Sequence, residues 1–402
     1  MKKGESDLDQ SGIIDPFIRN EREASIAAMA DKLASVFADR APLHDAEGSF
    51  PFENFDDLSA AGYLKLTVPK AYGGDEASVY EMVLAQERLA RGDGSTALAV
   101  GWHIGMLLQL RLSDAWPKPL FEQLCRDIVE QGVVINELAS EPATGSPSRG
   151  GRPQTTATRA EGGWIIQGRK TFSTLSPILK IFTVTAAIEG CDRPGLFLIR
   201  RGPGVRIEET WNTLGMRATG SHDVILDHVF VPDDEVIRGA DAAEKSAPVP
   251  TEAALLHIPA CYLGIAYAAR SFAIDFACRH QPNSTTVPIA ELPNVKRQIA
   301  QMEVDWITAR SYLYQVADRW DREVGQRAAL KPELGLAKYM ATNAAIRIVD
   351  QAMRIVGGLS LSRKLPLERM YRDVRAGLHN PPMDDIVLNN LADRAIHEMR
   401  GD

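Results

Sequence analysis

The stretch GWIIQGRKTFST, residues 163–174, decides the fold class, because it interrupts a chain that otherwise shows helical periodicity. Its mixture of aromatic, β-branched and polar residues over a short run is typical of a β-strand. Similar runs follow, separated by Gly, Pro and Asp: KIFTVTAAIE (180–189), GLFLIRR (195–201), GVRIEE (204–209) and HDVILDHVFVP (222–232). Together they predict an antiparallel β domain over residues 131–238.

Helical periodicity dominates on both sides of this β block. Upstream, apolar residues recur three and four apart from Ile26 to Phe37, and a long apolar run covers 95–112. Three long helical patterns follow downstream: 253–280, 293–324 and 332–358. The sequence therefore predicts an α+β protein with an N-terminal all-helical domain (13–130), the middle β domain, and a C-terminal four-helix bundle domain (239–402).

Composition narrows the functional classes. The chain has 402 residues and a net charge of -8, so no global basic face favours nucleic acid as a partner. The spacing of the cysteines matches neither a disulfide framework nor a metal site: Cys125, Cys191, Cys261 and Cys278. No signal-peptide pattern and no apolar run of membrane-spanning length is seen. We expect a cytoplasmic protein that binds neither a membrane nor a metal.

Five segments, in this order, resemble motifs of the acyl-CoA dehydrogenase family: SEPATGS (140–146), GRKTFST (168–174), LGMRATGS (214–221), QAMRIVGG (351–358) and MYRDVR (370–375). Each segment alone is a weak signal, but their order and spacing together are specific. The resemblance extends from about Glu21 to Ala395. It implies the family's fold, with a flavin at the junction of the β domain and the C-terminal bundle.

The resemblance also implies which residues contact the flavin: Asn136, Ser140, Ser146, Phe172, Thr174, Arg279, Gly357 and Gly358. The hydroxyls of Ser140 and Thr174 could meet the donors and acceptors along one flavin edge. Phe172 stands where the family places an aromatic residue against the ring, and the two glycines allow close backbone approach. The alternative is that the hydroxyls end strands and that the glycine pair ends a helix.

The cofactor could be FMN or FAD. The dehydrogenases hold the FAD diphosphate from a neighbouring subunit with an RxxFG segment, and the corresponding run here is CRHQPNSTTVP (278–288). Arg279 is retained, but the Phe-Gly pair is not. Pro293 lies near the position of a glutamine that is usual in the next helix. These departures leave both flavins open.

The residues at the position of the dehydrogenases' catalytic base also depart from the family pattern. Most members carry a glutamate shortly after the MRDAK-like run, and that position is Pro381 here. Other members carry it on a C-terminal helix, and that position lies near Ala254, two residues from Glu252. Neither standard base is present. Asp384 and Asp385 are close to Pro381, but adjacent carboxylates on a turn are more often solvated.

Two histidines instead match another branch of the fold, the dibenzothiophene monooxygenase-like flavin monooxygenases. Their C-terminal turn reads LHDP where this chain has LHNP, which contains His379, and an apolar helix carries a histidine that matches His103. The pKa of an imidazole lies near working pH, so it can donate a proton during oxygen transfer. The alternatives are a satisfied core histidine for His103 and a helix-dipole contact for His379.

Three functional hypotheses follow. The first is a monooxygenase that receives reduced flavin from a separate reductase and uses O2 to oxidise sulfur, nitrogen or an aromatic carbon of a small molecule. The second is an acyl-CoA dehydrogenase with a non-standard base. The third is a non-catalytic flavin-binding relative. The family resemblance further implies a homotetramer formed through the C-terminal bundle.

Overall fold

The computed structural model describes residues 15–113, 115–144, 150–239 and 251–400. Five helices come first along the chain: α1 (Glu21–Glu47), α2 (Phe52–Ala60), α3 (Val79–Leu89), α4 (Gly94–Ser113) and α5 (Lys118–Gln131). Local sequence explains their starts. Ser78 and Glu81 form a reciprocal capping box at α3. The carboxylate of Asp93 accepts the N–H groups of Ser95 and Thr96, so Asp93 caps α4.

The middle of the chain forms an eight-stranded sheet. Its strands are β1 (Glu137–Leu138), β2 (Thr156–Ala160), β3 (Gly163–Lys170), β4 (Ile181–Ile188), β5 (Gly195–Arg200), β6 (Val205–Glu208), β7 (Asp223–Pro232) and β8 (Val236–Arg238). They pair in the order β6-β7-β3-β2-β4-β5-β8, and β1 also pairs with β4. Most pairings are antiparallel as predicted, but β4 pairs with β1 and with β2 in parallel. The predicted antiparallel domain is therefore mixed at β4.

The C-terminal part is helical. It contains α6 (His257–Arg279), α7 (Pro293–Arg322), α8 (Lys331–Val356), α9 (Leu367–Asp373) and α10 (Asp384–Arg400). Helices α6, α7 and α8 pack against one another, and α7 contributes the fully buried side chains of Trp320 and Tyr314. The stretch Glu252–Arg279 is long and apolar enough to cross a membrane by length and composition alone, but 78% of its apolar window is buried inside the protein. That burial is expected of a core helix.

A buried ionic network joins the first and last helical parts. Arg310 of α7 donates to the Glu87 carboxylate of α3 at 2.8 Å, and Glu87 is 0% exposed. Arg310 also donates to Asp15 at 2.8 Å, and Asp15 accepts from Arg88 at 2.6 Å. Each buried charge therefore has an opposite charge beside it, which removes the large cost of isolated burial. The network fixes α3, and with it the neighbouring α4, against the C-terminal helices.

Candidate functional site

A buried ion pair joins the two segments that resemble flavin-binding motifs. Lys170 ends β3, and its Nζ lies 2.5 Å from Glu141 Oε1, with side chains 0% and 1% exposed. Lys170 also donates to the carbonyl oxygen of Thr185 at 2.7 Å. Burial lowers the pKa of Lys170, although the carboxylate beside it acts in the opposite direction. The pair holds Ser140 against the next segment, where the N–H of Thr171 donates to the Ser140 carbonyl at 2.9 Å.

A chain of three buried hydroxyl groups lies next to these segments. Thr174 Oγ1 is 2.9 Å from Ser221 Oγ, which is 2.7 Å from Thr219 Oγ1. The side-chain amide of Asn136 donates to the Thr174 carbonyl at 3.1 Å. The structure thus brings together Asn136 and Thr174, which the sequence singled out, and adds two hydroxyls from the loop before β7. We call Thr174, Thr219 and Ser221 the hydroxyl cluster.

Phe172 lies two residues from the hydroxyl cluster, with most of its ring uncovered. Its side chain is 68% exposed, and its φ of +53° lies in the left-handed region, which is strained for a non-glycine residue. The ring meets Trp211 edge to face, with centroids 5.6 Å apart. An uncovered aromatic ring held by a strained backbone fits a position that packs against a planar ligand.

The residues present fit a flavin by their chemistry. Hydroxyl groups can both donate and accept, so the hydroxyl cluster suits the alternating donors and acceptors of a flavin edge. Between Phe172 and Thr174, the buried Ser173 Oγ has no hydrogen-bond partner within the described residues. A buried polar atom without a partner is uncommon in a folded protein.

The loop before β7 connects the hydroxyl cluster to the C-terminal helices. The N–H of Met216 donates to the Asp373 carboxylate of α9 at 2.6 Å. Burial raises the pKa of Asp373 to about 7. A Cβ on Gly215 would lie 2.4 Å from the backbone carbonyl of Arg372, so only glycine allows this close approach. The loop therefore places the β domain directly against α9.

His379 lies six residues beyond Asp373, in the turn before α10. Its imidazole is exposed, and no hydrogen bond to the ring occurs within the described residues. The peptide bond between Pro381 and the next proline is cis. Tyr262 of α6 donates to Asn380 Oδ1 at 2.5 Å, which ties the turn to the bundle. The turn is fixed, while the imidazole itself is left open to contact a ligand.

His103 has a different environment from the one its predicted catalytic role requires. It is 0% exposed, and its Nε2 donates to the Leu64 carbonyl at 2.9 Å while its Nδ1 accepts the N–H of Ile135 at 3.1 Å. Burial lowers its pKa to about 4, so the ring is neutral. Both nitrogens are occupied by backbone groups, which argues against acid catalysis by His103. The ring instead supports the residue preceding Asn136.

Neither position of the family's catalytic glutamate carries a carboxylate. By the family resemblance, Pro381 occupies the first, and the second lies near Ala254, which is 2% exposed. The carboxylate of nearby Glu252 pairs with Lys331 at 3.1 Å and accepts the N–H of Thr251 at 3.0 Å. Glu252 is therefore engaged in local structure rather than directed as an unpaired base.

Three of the other predicted cofactor residues lie at helix ends. Arg279 ends α6 and pairs with Asp275; at 1.5 Å per residue it lies roughly 33 Å along the helix from the first residue of α6. Gly357 has a φ of +71° at the end of α8, and a Cβ on it or on Gly358 would meet no atom within 4 Å. Ser146 lies outside the described residues. The predicted cofactor contacts of these four residues stay predictions.

Some residues of the site were missed from sequence. Thr219 and Ser221 lie inside the quoted LGMRATGS segment, and Lys170 and Glu141 lie inside two others, so the motifs carried the signal. Outside this site, His257, the first residue of α6, is a buried histidine that the sequence did not single out. It is 1% exposed and neither ring nitrogen has a hydrogen-bond partner within the described residues. Its environment depends on α4, more than 140 positions earlier in the chain.

Comparison with known protein families covers most of the chain. Residues 20–113 match the acyl-CoA dehydrogenase N-terminal domain, residues 137–229 the middle domain, and residues 256–394 the C-terminal domain. Among similar proteins is YdbM of Bacillus subtilis (strain 168), whose name assigns it provisionally to the acyl-CoA dehydrogenases. It is 46% identical over 380 residues, covering 94% of this chain and 98% of YdbM.

Other relatives carry names of a different chemistry. The amino sugar nitrososynthase RubN8 of Streptomyces rubradiris is 32% identical over 372 residues, covering 87% of this chain and 84% of RubN8. The FMN-bound structure of TdsC from Paenibacillus sp. A11-2 superimposes with a TM-score of 0.81 at 22% identity, covering 94% of this chain and 98% of TdsC. The last similarity establishes the shared fold.

Proposed function

Because the chain belongs to the acyl-CoA dehydrogenase family, whose membership supports a flavin cofactor, we propose that it is a flavin-dependent monooxygenase. Its substrate would be a small organic molecule oxidised at sulfur, nitrogen or an aromatic carbon. A bound reduced flavin would supply two electrons to O2, so that one oxygen atom enters the substrate and the other leaves as water. We propose that a separate reductase provides the reduced flavin.

The observation that carries this proposal is the missing proton-abstracting carboxylate. α,β-Desaturation of an acyl-CoA requires a base beside the substrate α-carbon. Pro381 and Ala254 stand at the two family positions for that base, and neither has an ionisable side chain. Asp384, three residues beyond Pro381, accepts hydrogen bonds from Lys338 at 3.1 Å and Asn343 at 2.9 Å. It is bound to α8 and holds the start of α10.

The turn residue His379 is the proposed acid. Its exposed imidazole lies on a turn that Tyr262 fixes through Asn380. A histidine held in this way can donate a proton to the oxygen atom that leaves as water, and it can recover the proton from solvent. The hydroxyl cluster and Asn136 would orient the flavin edge. The nitrogen-oxidising names among the relatives support this chemistry.

A decisive experiment loads the full-length chain with FMN or FAD, reduces it without oxygen, and mixes it rapidly with O2. We expect a transient flavin absorbance that differs from both the reduced and oxidised forms. In parallel, butyryl-CoA and octanoyl-CoA are added anaerobically to the oxidised holoenzyme. Anaerobic bleaching by either thioester, with no transient in O2, would contradict the proposal and favour the dehydrogenase activity that the name of YdbM suggests.

The role of His379 has its own test. We expect His379→Ala to lower oxygenation by roughly 10²–10⁴-fold while flavin affinity stays within about two-fold, because the ring acts in proton transfer rather than in binding. His228→Ala is the matched control, since His228 is an exposed histidine whose ring, within the described part of the chain, pairs with its neighbour Asp227 at 2.7 Å and with no other polar group. Equal turnover in the His379 and His228 variants would exclude the proposed role.

Assembly and cellular location also belong to this proposal. We propose a homotetramer in the cytoplasm, with Arg279 and the Gly357–Gly358 pair available to the cofactor of a neighbouring subunit. The resemblance of the run that contains Arg279 to the RxxFG segment, with which dehydrogenases hold the cofactor of a neighbouring subunit, supports this arrangement. Sedimentation at micromolar protein concentration should show a tetramer, and a monomer would exclude this arrangement.

A further inference from the structure

Met216, in the loop before β7, is a strained residue that is hydrogen-bonded on both sides. Its φ of +54° lies in the left-handed region, which is unfavourable for a residue with a side chain. Its N–H donates to the Asp373 carboxylate of α9 at 2.6 Å. Its carbonyl accepts from Trp211 Nε1 at 2.9 Å and from Thr219 Oγ1 at 3.1 Å. The strained backbone is thus held once by α9 and twice by the loop itself.

The Met216 carbonyl sets the direction of the protons in the hydroxyl cluster. A carbonyl oxygen can only accept, so Thr219 uses its single hydroxyl proton on Met216. The oxygen of Thr219 then accepts from Ser221, and the oxygen of Ser221 accepts from Thr174. Every proton of the cluster therefore points towards Met216. Thr174 keeps lone pairs for a ligand N–H, a group that a flavin ring carries.

The second side chain on this carbonyl leads to the aromatic part of the same site. Trp211 donates its indole N–H to Met216 and also meets the exposed Phe172 ring edge to face, with centroids 5.6 Å apart. One backbone oxygen therefore holds both the hydroxyl cluster and the tryptophan that supports Phe172. A rotation of the Met216 backbone would disturb both parts at once.

Helix α9 fixes this backbone at two points. Arg372 donates to the Leu214 carbonyl at 2.9 Å, and the next residue, Asp373, accepts the Met216 N–H. Arg372 is itself paired with the Asp45 carboxylate of α1 at 2.6 Å. The Asp373 side chain is 3% exposed, so its hydrogen bond is protected from water.

We propose that Asp373 is a positioning residue for the flavin: its carboxylate fixes the Met216 backbone and, through it, the hydroxyl cluster and Trp211. Asp373 acts through other residues and is not a catalytic group. An ionised carboxylate accepts an N–H more strongly than a neutral acceptor does, so flavin affinity follows the charge of Asp373. This inference rests on the proposed function, because it requires the flavin to lie at the hydroxyl cluster.

The charge of Asp373 changes near neutral pH. Burial raises its pKa to about 7, against the opposing effects of the Met216 N–H and of Arg369. Other titratable groups face it from the start of α4, from α1 and from α6: Asp93, Asp45, Cys261 and Tyr262. The two carboxylates raise the pKa of Asp373 further. Burial raises the pKa of the thiol and of the phenol, so both stay neutral in this range.

The first measurement uses the flavin-free chain labelled with 5-fluorotryptophan and follows the fluorine NMR signal of Trp211, which Trp211→Phe identifies by its loss. We expect the wild-type signal to shift with a midpoint near pH 7. Asp373→Asn should lose this transition, because asparagine keeps an acceptor of the same shape without the charge. His222 accepts the Trp211 N–H at 3.1 Å, and burial lowers its pKa, so its own titration below about pH 6.5 should remain in both proteins.

The second measurement is the dissociation constant of oxidised FMN and of oxidised FAD, by calorimetry at about pH 8 and about pH 6. At the higher pH, Asp373→Ala should weaken flavin binding by at least about five-fold, because it removes a hydrogen bond to a charged group. From about pH 8 to about pH 6, wild type should lose roughly three-fold more affinity than Asp373→Asn. The flavin phosphates titrate alike in both proteins, so the comparison isolates Asp373.

Asp321→Asn is the matched control. Asp321 also accepts backbone N–H groups, from Val79 at 3.1 Å and Tyr80 at 2.9 Å, and burial raises its pKa, but it belongs to α7. This variant should keep the wild-type pH dependence in both measurements.

Three results would each overturn the inference: the same Trp211 transition in wild type and Asp373→Asn, a flavin dissociation constant of Asp373→Ala within two-fold of wild type, or no flavin binding by wild type. If Asp373→Ala fails to fold, the pH comparison between wild type and Asp373→Asn decides it. Neither O2 nor turnover is used. The expected pattern without any oxygenation would therefore overturn only the proposed function.

Discussion

Two buried histidines, one in α4 and one packed against it, show how different the environments within one helical core can be. His103 and His257 are 0% and 1% exposed, and burial lowers the pKa of both rings, to about 4 and about 3. His103 donates to Leu64 and accepts from Ile135. His257 has no partner for either nitrogen within the described residues.

Burial and a lowered pKa therefore do not identify a functional histidine. His103 joins α4 to the 3-10 turn at 63–65 and to the start of β1, so its ring holds together three parts of the fold. His257 forms no hydrogen bond within the described residues, so its two ring nitrogens carry the cost of desolvation without that return. What distinguishes the two histidines is whether the donor and the acceptor of the ring are used.

The largest effect on stability is expected at Lys170, which, like His103, is a buried polar group with partners. Lys170→Met leaves the Glu141 carboxylate buried without its cation, so the free energy of unfolding should fall by about 3–5 kcal/mol. The double variant Lys170→Met/Glu141→Gln should recover at least about 1 kcal/mol, because glutamine keeps an acceptor without the charge. Urea denaturation measures both. No recovery in the double variant would mean that packing, rather than the charge, dominates.

The second prediction compares the two histidines directly. His103→Phe leaves the Leu64 carbonyl and the Ile135 N–H buried without partners, so it should lower the free energy of unfolding by about 2–4 kcal/mol. His257→Phe removes two unpaired nitrogens while keeping a flat ring, so it should change stability by less than about 1 kcal/mol in either direction. If urea denaturation at neutral pH shows that both variants lose the same free energy of unfolding, the predicted difference between the two histidines is wrong.

The third prediction concerns the pH dependence of the free energy of unfolding, to which the two histidines should contribute alike. The unfolded chain binds a proton to each ring below its ordinary pKa of 6.5, while the folded chain binds none until about pH 4 for His103 and about pH 3 for His257. Stability therefore falls as pH falls, by about 1.4 kcal/mol per pH unit for each ring. Between about pH 6.5 and pH 5, each Phe variant should lose about 2 kcal/mol less than wild type.

Urea denaturation of wild type and both Phe variants across this range provides the measurement. The difference between curves isolates one ring, since the other titrating groups are shared. A variant whose stability declines as steeply as that of wild type would show that its histidine is already protonated in the fold, or that it contacts solvent.

The smallest effect is expected at Glu252, the carboxylate nearest to His257 in sequence. Glu252→Gln weakens a partly exposed ion pair with Lys331 and should cost at most about 1 kcal/mol, with turnover within about two-fold of wild type. Thermal unfolding and a turnover assay check both values. A loss of turnover by two orders of magnitude would identify Glu252 as a base and would favour a dehydrogenase.

The order of helical, β and helical parts could be predicted because each signal is local. Strand runs such as 163–174 and the apolar periodicity of α4 and α6 depend on residues only a few positions apart. The parallel pairing of β4 with β1 and β2 was not predicted, since strand direction depends on how distant segments approach. The cap of α4 is Asp93, one residue before the helix, because its carboxylate accepts the first free N–H groups.

The candidate site could be predicted in part. The family resemblance pointed to Asn136 and Thr174, which the structure joins, and one motif segment also contained Ser221, which the sequence did not single out. The sequence favoured His103 as a catalytic group, but the same apolar context also fits a satisfied core histidine, and the structure shows that arrangement. No local pattern could separate the two, because the partners of His103 lie 39 and 32 positions away.

The sequence by itself determined the succession of helical, β and helical parts and the positions of the motif segments, and it predicted that the family's glutamate is absent at Pro381 and near Ala254. These properties depend on residue type and short-range periodicity, which folding does not change. Only the tertiary structure decided which polar groups are paired. A hydrogen bond requires a donor and an acceptor within about 3 Å. For His103, His257 and the hydroxyl cluster, that distance is set by segments that meet only in the folded chain.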